Sequence, residues 1–207
     1  MYVPKHFAET DVARLHALMR AHAFATLVSV TDGAPFATHV PLLLDAERGG
    51  FGTLVGHMAR ANPHWQAFDG SRPALAIFHG PHAYVSPRWY ADKPRVPTWN
   101  YAAVHAYGKP RVLEDRGEKH AAMAKLVGEI DPQWKPEFDV MPEDYEDRML
   151  DGIVAFEIPI ARIETRWKLS QNRGRDEQER IAARLEESED SSARALAALT
   201  RRHLAPK

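Results

Sequence analysis

Runs of apolar residues, several of them alternating with polar ones, mark much of this chain as β-strand. FATLVSV (24–30) is followed by Asp32-Gly33, a strong hairpin signal, and then by a second apolar run, ATHVPLLL (37–44). Further strand-like runs are FGTLVG (51–56), ALAIF (74–78), AYVS (83–86), TWNYAAVHAYG (98–108), PRVLE (110–114) and GIVAFEIPI (152–160). A Gly80-Pro81 pair predicts a turn between ALAIF and AYVS. The pattern predicts six or seven short strands.

Helical spacing is confined to a few segments. Thr10-Asp11 predicts a helix start, and the apolar positions that follow lie on one helical face. Asn62-Pro63 predicts a cap and first turn of a short helix through Phe68. Residues 117–130 also have a helical pattern, and 131–150 are proline-rich before a second short helix. Because most strands follow one another without intervening helices, we expect an antiparallel barrel with peripheral helices.

The C-terminal segment differs from the rest in composition. Residues 173–207 are rich in Ala, Arg and Glu, with 8 basic and 7 acidic side chains and sparse leucines. This predicts one or two surface helices, which could pack on a partner subunit. We therefore divide the chain into a principal domain, 1–172, and a helical extension, 173–207.

Composition and charge exclude several kinds of protein. The 207 residues contain no cysteine, which rules out disulfides, thiol catalysis and thiolate metal sites. The formal net charge is −1, a balance that argues against a surface built for nucleic acid. The N-terminus MYVPKHF has no apolar signal-peptide core, and no apolar run approaches the roughly 18 residues of a membrane span. We expect a cytoplasmic protein without membrane association.

No familiar catalytic or metal motif is present. Six of the 11 histidines lie between residues 39 and 105, but their spacing matches no zinc motif and we predict no metal site. A G-x-S-x-G nucleophile motif is absent. GGFGTLVG (49–56) has Val55 where a dinucleotide-binding loop needs its third glycine. The catalytic residues therefore stay unassigned.

Four short motifs fit an anionic, aromatic ligand. ATHVPL (37–42) places polar side chains on a strand that contains proline, and GHMARANPHW (56–65) runs from a strand into a helix N-terminus. Free N–H groups beside Arg and His at such a junction favour phosphate. VPTWNY (96–101) offers an aromatic ring and an amide, and KLSQNR (168–173) adds two cations. Each motif alone is more typical of turns and caps, but four in one small domain indicate a site.

Together with MYVPKHF (1–7) and FHGPHAYVSPRWY (78–90), these motifs resemble the PaiB-type family of FMN-binding negative transcriptional regulators. The resemblance covers about residues 1–175 in the expected order. It implies a mainly β (α+β) fold, a flavin-binding split β-barrel of about six antiparallel strands with peripheral helices. It also implies a homodimer with FMN at the subunit interface and a distant similarity to pyridoxamine-phosphate oxidases.

The resemblance also implies cofactor-binding residues. ATHVPL lacks the Arg and Lys with which the wider superfamily holds FMN, so its side chains and backbone would contact the flavin instead. GHMARAN is similar to the superfamily's second phosphate-binding segment, WKLSQNR to its C-terminal ring-edge or phosphate segment, and VPTWNY matches the PaiB motif itself. The candidates are Thr38, His39, Val40, Gly56, His57, Arg60, Asn62, Trp99, Asn100, Lys168, Gln171 and Arg173.

Three functions are compatible with these observations. The first is an FMN-binding homodimer that influences transcription; the sequence has no helix-turn-helix pattern or basic stripe, which argues for an indirect effect. The second is an FMN-dependent oxidoreductase or NAD(P)H:flavin reductase acting on a small substrate. The third is a haem-binding protein with the same fold, which would need an axial ligand that no histidine clearly provides.

Overall fold

The computed structural model describes residues 1–205. Within them the strands are β1 (Phe24–Thr31), β2 (Ala34–Asp45), β3 (Thr53–Ala59), β4 (Ala74–Val85), β5 (Thr98–Gly108), β6 (Arg111–Val112) and β7 (Ile153–Lys168). The helices are α1 (Val12–Ala21), α2 (Arg116–Ile130), α3 (Lys135–Asp139), α4 (Glu143–Asp151), α5 (Arg175–Glu186) and α6 (Ser191–Leu204). Short 3-10 helices span Lys5–Phe7, Pro63–Ala67 and Pro87–Trp89.

The seven strands form one sheet in the order β3-β2-β1-β4-β5-β7-β6, and β3 also pairs with β7. The pairs β1–β2, β1–β4, β2–β3, β3–β7 and β6–β7 are antiparallel. The prediction of a mainly β, antiparallel α+β fold with additional helices is confirmed.

The described chain divides into two compact units. The first unit contains Met1–Leu18, His79–Val104 and the described part of Glu164–Lys207; the second contains Met19–Phe78 and His105–Ile163. This division comes from contacts within each unit. The sequence-based boundary at residue 172 stays a prediction, and the last two residues of the proposed extension lie outside the described residues.

The second unit is built around the β1–β2 hairpin. Thr31 pairs with Ala34, so Asp32 and Gly33 form a two-residue turn, and both have positive φ (52° and 79°). This is the conformation that favours Asp-Gly in hairpins. Alternate residues of β1, such as Ala25 and Leu27, are buried, as the alternating pattern predicts.

The first unit buries one face of each terminal helix. Ile181 and Leu185 of α5 and Leu196 of α6 are at most 1% exposed. The Ser192 hydroxyl accepts a hydrogen bond from the His82 N–H (2.9 Å) and donates one to the His82 carbonyl (2.8 Å), which anchors α6 to β4. The prediction of helices in the C-terminal segment is confirmed for both α5 and α6.

Two predicted strand boundaries were wrong. The expected turn at Gly80-Pro81 is absent from the described chain, where ALAIF and AYVS belong to the single strand β4. A Cβ on Gly80 would lie 2.9 Å from the Ala102 carbonyl oxygen and 3.0 Å from Leu18 Cδ1, so this glycine permits close packing within a strand. Strand β7 continues eight residues beyond the predicted end and brings Lys168 into the sheet.

Candidate functional site

A buried histidine organises polar side chains in the second unit. His64 is 1% exposed; its Nε2 lies 2.7 Å from Ser29 Oγ and its Nδ1 lies 2.8 Å from Thr38 Oγ1. Asn62 Nδ2 donates to Thr38 Oγ1 (3.1 Å), while Asn62 Oδ1 caps the Pro63–Ala67 turn by accepting from the His64 N–H (3.0 Å). The structure therefore brings together Thr38 and Asn62, two predicted site residues.

Burial lowers the pKa of His64, so its imidazole is neutral near pH 7. A neutral ring has one donor and one acceptor nitrogen, and the Ser29 and Thr38 hydroxyls can each supply the matching role. The rings of Phe36 and Phe68 pack at 4.9 and 5.3 Å from the His64 ring. Sequence analysis did not select His64; its position in the first turn after the Asn62 cap was the available signal.

Neighbouring residues of ATHVPL point to opposite faces of β2. Thr38 contacts His64, whereas the His39 ring is exposed, stacks on Phe24 (6.3 Å) and places Nδ1 3.1 Å from Thr26 Oγ1. Val40 is buried in the core. The three predicted residues of this motif therefore do not converge through their side chains.

The strand-to-turn junction after β3 has other local partners. Gly56 lies opposite Leu42 in the β2–β3 pair. Arg60 donates from Nε to the Asp151 carbonyl (2.7 Å) and from Nη2 to the Ile153 carbonyl (3.0 Å). It thereby ties the junction to the start of β7.

His57 is a second histidine held neutral by its surroundings. Burial lowers its pKa. Its Nδ1 is buried and has no hydrogen-bond partner among the described residues. Neutral His57 therefore supplies no positive charge near pH 7.

In the first unit, VPTWNY and KLSQNR meet although they are about 70 residues apart. Asn100 is fully buried, and its Nδ2 donates to Ser170 Oγ (2.8 Å). Its Oδ1 is a buried acceptor without a hydrogen-bond partner among the described residues. The adjacent Trp99 ring is 53% exposed and lies 5.6 Å from the His82 ring.

KLSQNR combines a folded turn with two cations. Lys168 Nζ donates to Thr98 Oγ1, and burial together with the charge of Arg166 lowers the Lys168 pKa. Gln171 Oε1 accepts from the Leu169 N–H (2.7 Å), which fixes the turn. The Arg173 guanidinium lies over the Tyr90 ring, 5.5 Å from its centroid. The segment therefore carries two positive charges on a turn that an internal hydrogen bond stabilises.

Two further sequence expectations concern metals and membranes. Within residues 1–205, no group of three or more His, Asp or Glu side chains is arranged to hold a metal ion. Over the same residues, no helix has the length and apolar character needed to cross a membrane.

Comparison with solved structures defines the class of protein. The chain is similar to the FAD and heme binding protein of Mycobacterium smegmatis, with TM-score 0.64 and 21% identity over 84% of this chain and 78% of that one. It is also similar to the flavocytochrome Anf3 of Azotobacter vinelandii, with TM-score 0.64 and 16% identity over 80% and 72% of the two chains. The fold is similar to that of split-barrel flavoproteins.

Sequence comparison then gives the family. Residues 1–162 match the family model described as "Putative FMN-binding domain". The chain is 33% identical over 211 residues to the Protease synthase and sporulation protein PAI 2 of Bacillus subtilis, covering 96% of each chain. This protein belongs to the PaiB-type family of FMN-binding proteins, and its cofactor is FMN. The resemblance seen in the sequence is confirmed.

Proposed function

We propose that this protein is a cytoplasmic, homodimeric FMN-binding regulator of the PaiB type that influences transcription without contacting DNA. The observation that carries the proposal is the match of residues 1–162 to the FMN-binding family, together with the 33% identity to the PAI 2 protein over nearly the whole chain.

The side chains of the first unit fit the chemistry of FMN. The phosphate dianion needs charge-assisted donors, which Lys168 and Arg173 supply. The isoalloxazine ring has N–H and carbonyl edges and a flat apolar surface. Trp99 and Asn100 are neighbours on β5 and point to opposite faces: the exposed Trp99 indole can stack on such a surface, whereas the fully buried Asn100 supports KLSQNR through its hydrogen bond to Ser170. Gln171 holds the turn that carries these cations.

Of the candidates in the second unit, His57 supplies no charge and Arg60 has only part of its guanidinium free for a phosphate. Arg60 already donates to two backbone carbonyls, and burial keeps His57 neutral. We therefore assign the phosphate charge to Lys168 and Arg173, and leave Thr38 and Asn62 as neutral hydrogen-bonding groups. When bound, FMN supplies redox chemistry, while the protein positions it and sets its surroundings.

The indirect mode of regulation is supported by the surface charges. Three of the six arginines on α5 and α6 are paired with carboxylates: Arg175–Glu179 (2.8 Å), Arg184–Glu187 (3.0 Å) and Arg201–Glu186 (2.9 Å). The connection between α5 and α6 contains three acidic residues in four, at positions 187–190. If α6 were a DNA-recognition helix, the acidic residues just before its N-terminus would lie near the DNA phosphates and would be repelled by them.

An absorbance spectrum before and after addition of FMN and desalting tests cofactor binding. Bands near the usual ~370 and ~450 nm should survive desalting. A folded protein that stays colourless would overturn the proposal. DNA binding is tested by fluorescence anisotropy with a fragment from upstream of the gene; salt-sensitive binding would overturn the indirect mode.

Paired variants test where the phosphate charge comes from. Lys168→Met with Arg173→Met should weaken FMN binding by a few kcal/mol, because each charge-assisted hydrogen bond contributes about 1.5–3 kcal/mol. Arg201→Met, which removes a surface cation of α6, is the matched control and should leave affinity unchanged. His57→Ala with Arg60→Ala tests the sequence-based alternative. If that pair weakens binding and the first pair does not, our assignment is refuted.

A further inference from the structure

The first unit contains a cavity of about 890 Å³ beside its two terminal helices. Its walls are formed by β4, the 3-10 helix Pro87–Trp89, the start of β5, α5 and the start of α6. Hydrogen bonds between Ser192 and His82 hold α6 against β4, so these two walls are in place without a ligand. The volume lies within the range of small-molecule sites, about 300–1,000 Å³.

Two aromatic side chains of this cavity present their rings to solvent. Tyr84 and Trp99 are 46% and 53% exposed, and their ring centroids lie 6.4 Å apart. The buried residues Tyr90, Leu185 and Ala193 add apolar surface to the lining. Open aromatic rings beside an apolar lining favour a ligand with a flat aromatic group, because such a group covers both surfaces at once.

The charged residues of the cavity leave two arginines available for a ligand. Arg184 is paired with Glu187 at 3.0 Å, and the Asp190 carboxylate caps the first turn of α6. Arg88 and Arg180 also line the cavity; both are exposed, and neither has a carboxylate partner within residues 1–205. A guanidinium group binds phosphate oxygens through two parallel hydrogen bonds, so these two side chains favour an anionic ligand.

A nucleotide is the class of ligand that satisfies these features together. It combines a flat aromatic base with a phosphate that carries nearly two negative charges at neutral pH. Inorganic phosphate would leave the aromatic rings of the cavity uncovered. A small aromatic carboxylate, with a single negative charge, would leave one of the two available arginines without a partner. The volume of the cavity also favours the larger ligand.

We propose that this cavity binds a second nucleotide next to FMN, with its base against Tyr84 and its phosphate on Arg88 and Arg180. The cavity adjoins the residues assigned to FMN: Trp99 is part of its lining, and the Arg173 guanidinium lies over Tyr90, which also lines it. The inference rests on the proposed function in one respect, the position of the flavin ring at Trp99. The nucleotide site itself is tested with and without FMN.

The test is isothermal titration calorimetry of the FMN-loaded protein with ATP and with NADP⁺, neither of which can reduce the flavin. Both contain an adenine base and phosphates. We expect at least one to bind, and Arg88→Met with Arg180→Met to raise its dissociation constant at least tenfold while the affinity for FMN is unchanged. Arg202→Met is the matched control, because Arg202 is an exposed arginine of α6 outside the cavity; it should change neither constant. Circular dichroism checks that each variant is folded.

Binding of NADP⁺ alone would identify a nicotinamide dinucleotide as the ligand, and binding of ATP alone a nucleoside polyphosphate. Absence of binding by both at about 1 mM would refute the nucleotide site, while retention of FMN would leave the proposed function standing. Displacement of FMN by the nucleotide, or loss of FMN from the double variant, would show that the cavity belongs to the FMN site.

Two further results would contradict the chemistry of the proposal. If inorganic phosphate bound as tightly as the nucleotides, the aromatic rings would have no role in recognition. If the double variant bound the nucleotide as tightly as the wild type, the phosphate would not lie on Arg88 and Arg180. Should the wild type retain no FMN, the proposed function fails, and the same titration of the FMN-free protein still decides whether the cavity binds a nucleotide.

Discussion

Replacing Thr38 by valine tests the hydrogen-bond network around His64. Valine keeps the shape of threonine but removes Oγ1, which lies 2.8 Å from His64 Nδ1 and accepts from Asn62 Nδ2 at 3.1 Å. The His64 ring is buried, so leaving its nitrogen unpaired should cost about 1–3 kcal/mol. Asn62 is half-buried and can turn towards water, so the loss of its hydrogen bond to Thr38 should cost only about 0.5–1 kcal/mol.

We therefore expect Thr38→Val to lower the free energy of unfolding by about 2–3 kcal/mol. For a chain of this size that corresponds to a shift of about 1 M in the urea midpoint, measured without FMN so that ligand binding does not contribute. Thr38→Ser keeps the hydroxyl and is the control. If the valine variant is as stable as the serine variant, the network does not stabilise the fold as argued.

Three further predictions concern packing, charge and pH. Gly108→Ala should lower the free energy of unfolding by about 3 kcal/mol, because the added Cβ would lie 2.2 Å from a backbone oxygen of β7. Gly50→Ala is the control: its Cβ would have no atom within 4 Å, so the same denaturation assay should show almost no change. Glu157→Gln should lower the free energy of unfolding by about 1–2 kcal/mol, because this buried carboxylate accepts hydrogen bonds from two half-exposed arginines at 2.7 and 3.0 Å. The loss should be smaller in high salt, which screens the charges of the arginines. Burial lowers the pKa values of His57 and His64 in the folded protein, so the unfolded chain takes up protons first as the pH falls below about 6.5. Stability should therefore decline from pH 7.5 to pH 5.5, and the decline should be smaller in His57→Gln; an equal decline would contradict this origin.

Local signals in the sequence predicted most of the strands and helices. Asp32-Gly33 predicted the hairpin correctly because its two positive φ angles are a property of these residues. Gly80-Pro81 carries a similar turn signal, but in the fold Gly80 makes room for the Ala102 carbonyl. That requirement comes from a strand distant in sequence, so no local pattern could reveal it.

The sequence identified the motifs of the candidate site, but it did not predict which side chains contact one another. The contact of Asn100 with Ser170 joins two motifs that the sequence identified separately. The roles of Arg60 and His64 depend on partners brought together by the fold. The arginine binds one carbonyl at the end of α4 and one at the start of β7, and the histidine binds two hydroxyls, on β1 and β2. Residue type alone indicates a phosphate ligand at Arg60, and only the tertiary structure shows that two of its five N–H donors already bind backbone carbonyls.

Neighbouring side chains of β2 make different contacts on the two faces of the strand. The strand therefore cannot gain or lose a single residue without losing those contacts. Thr38 contacts His64 on one side, and on the other side the exposed His39 ring stacks on Phe24. The hairpin turn before it has two residues, so the loss or gain of one residue would shift the strand and exchange these side chains. Natural variation in ATHVPL should therefore consist of substitutions, with insertions and deletions excluded.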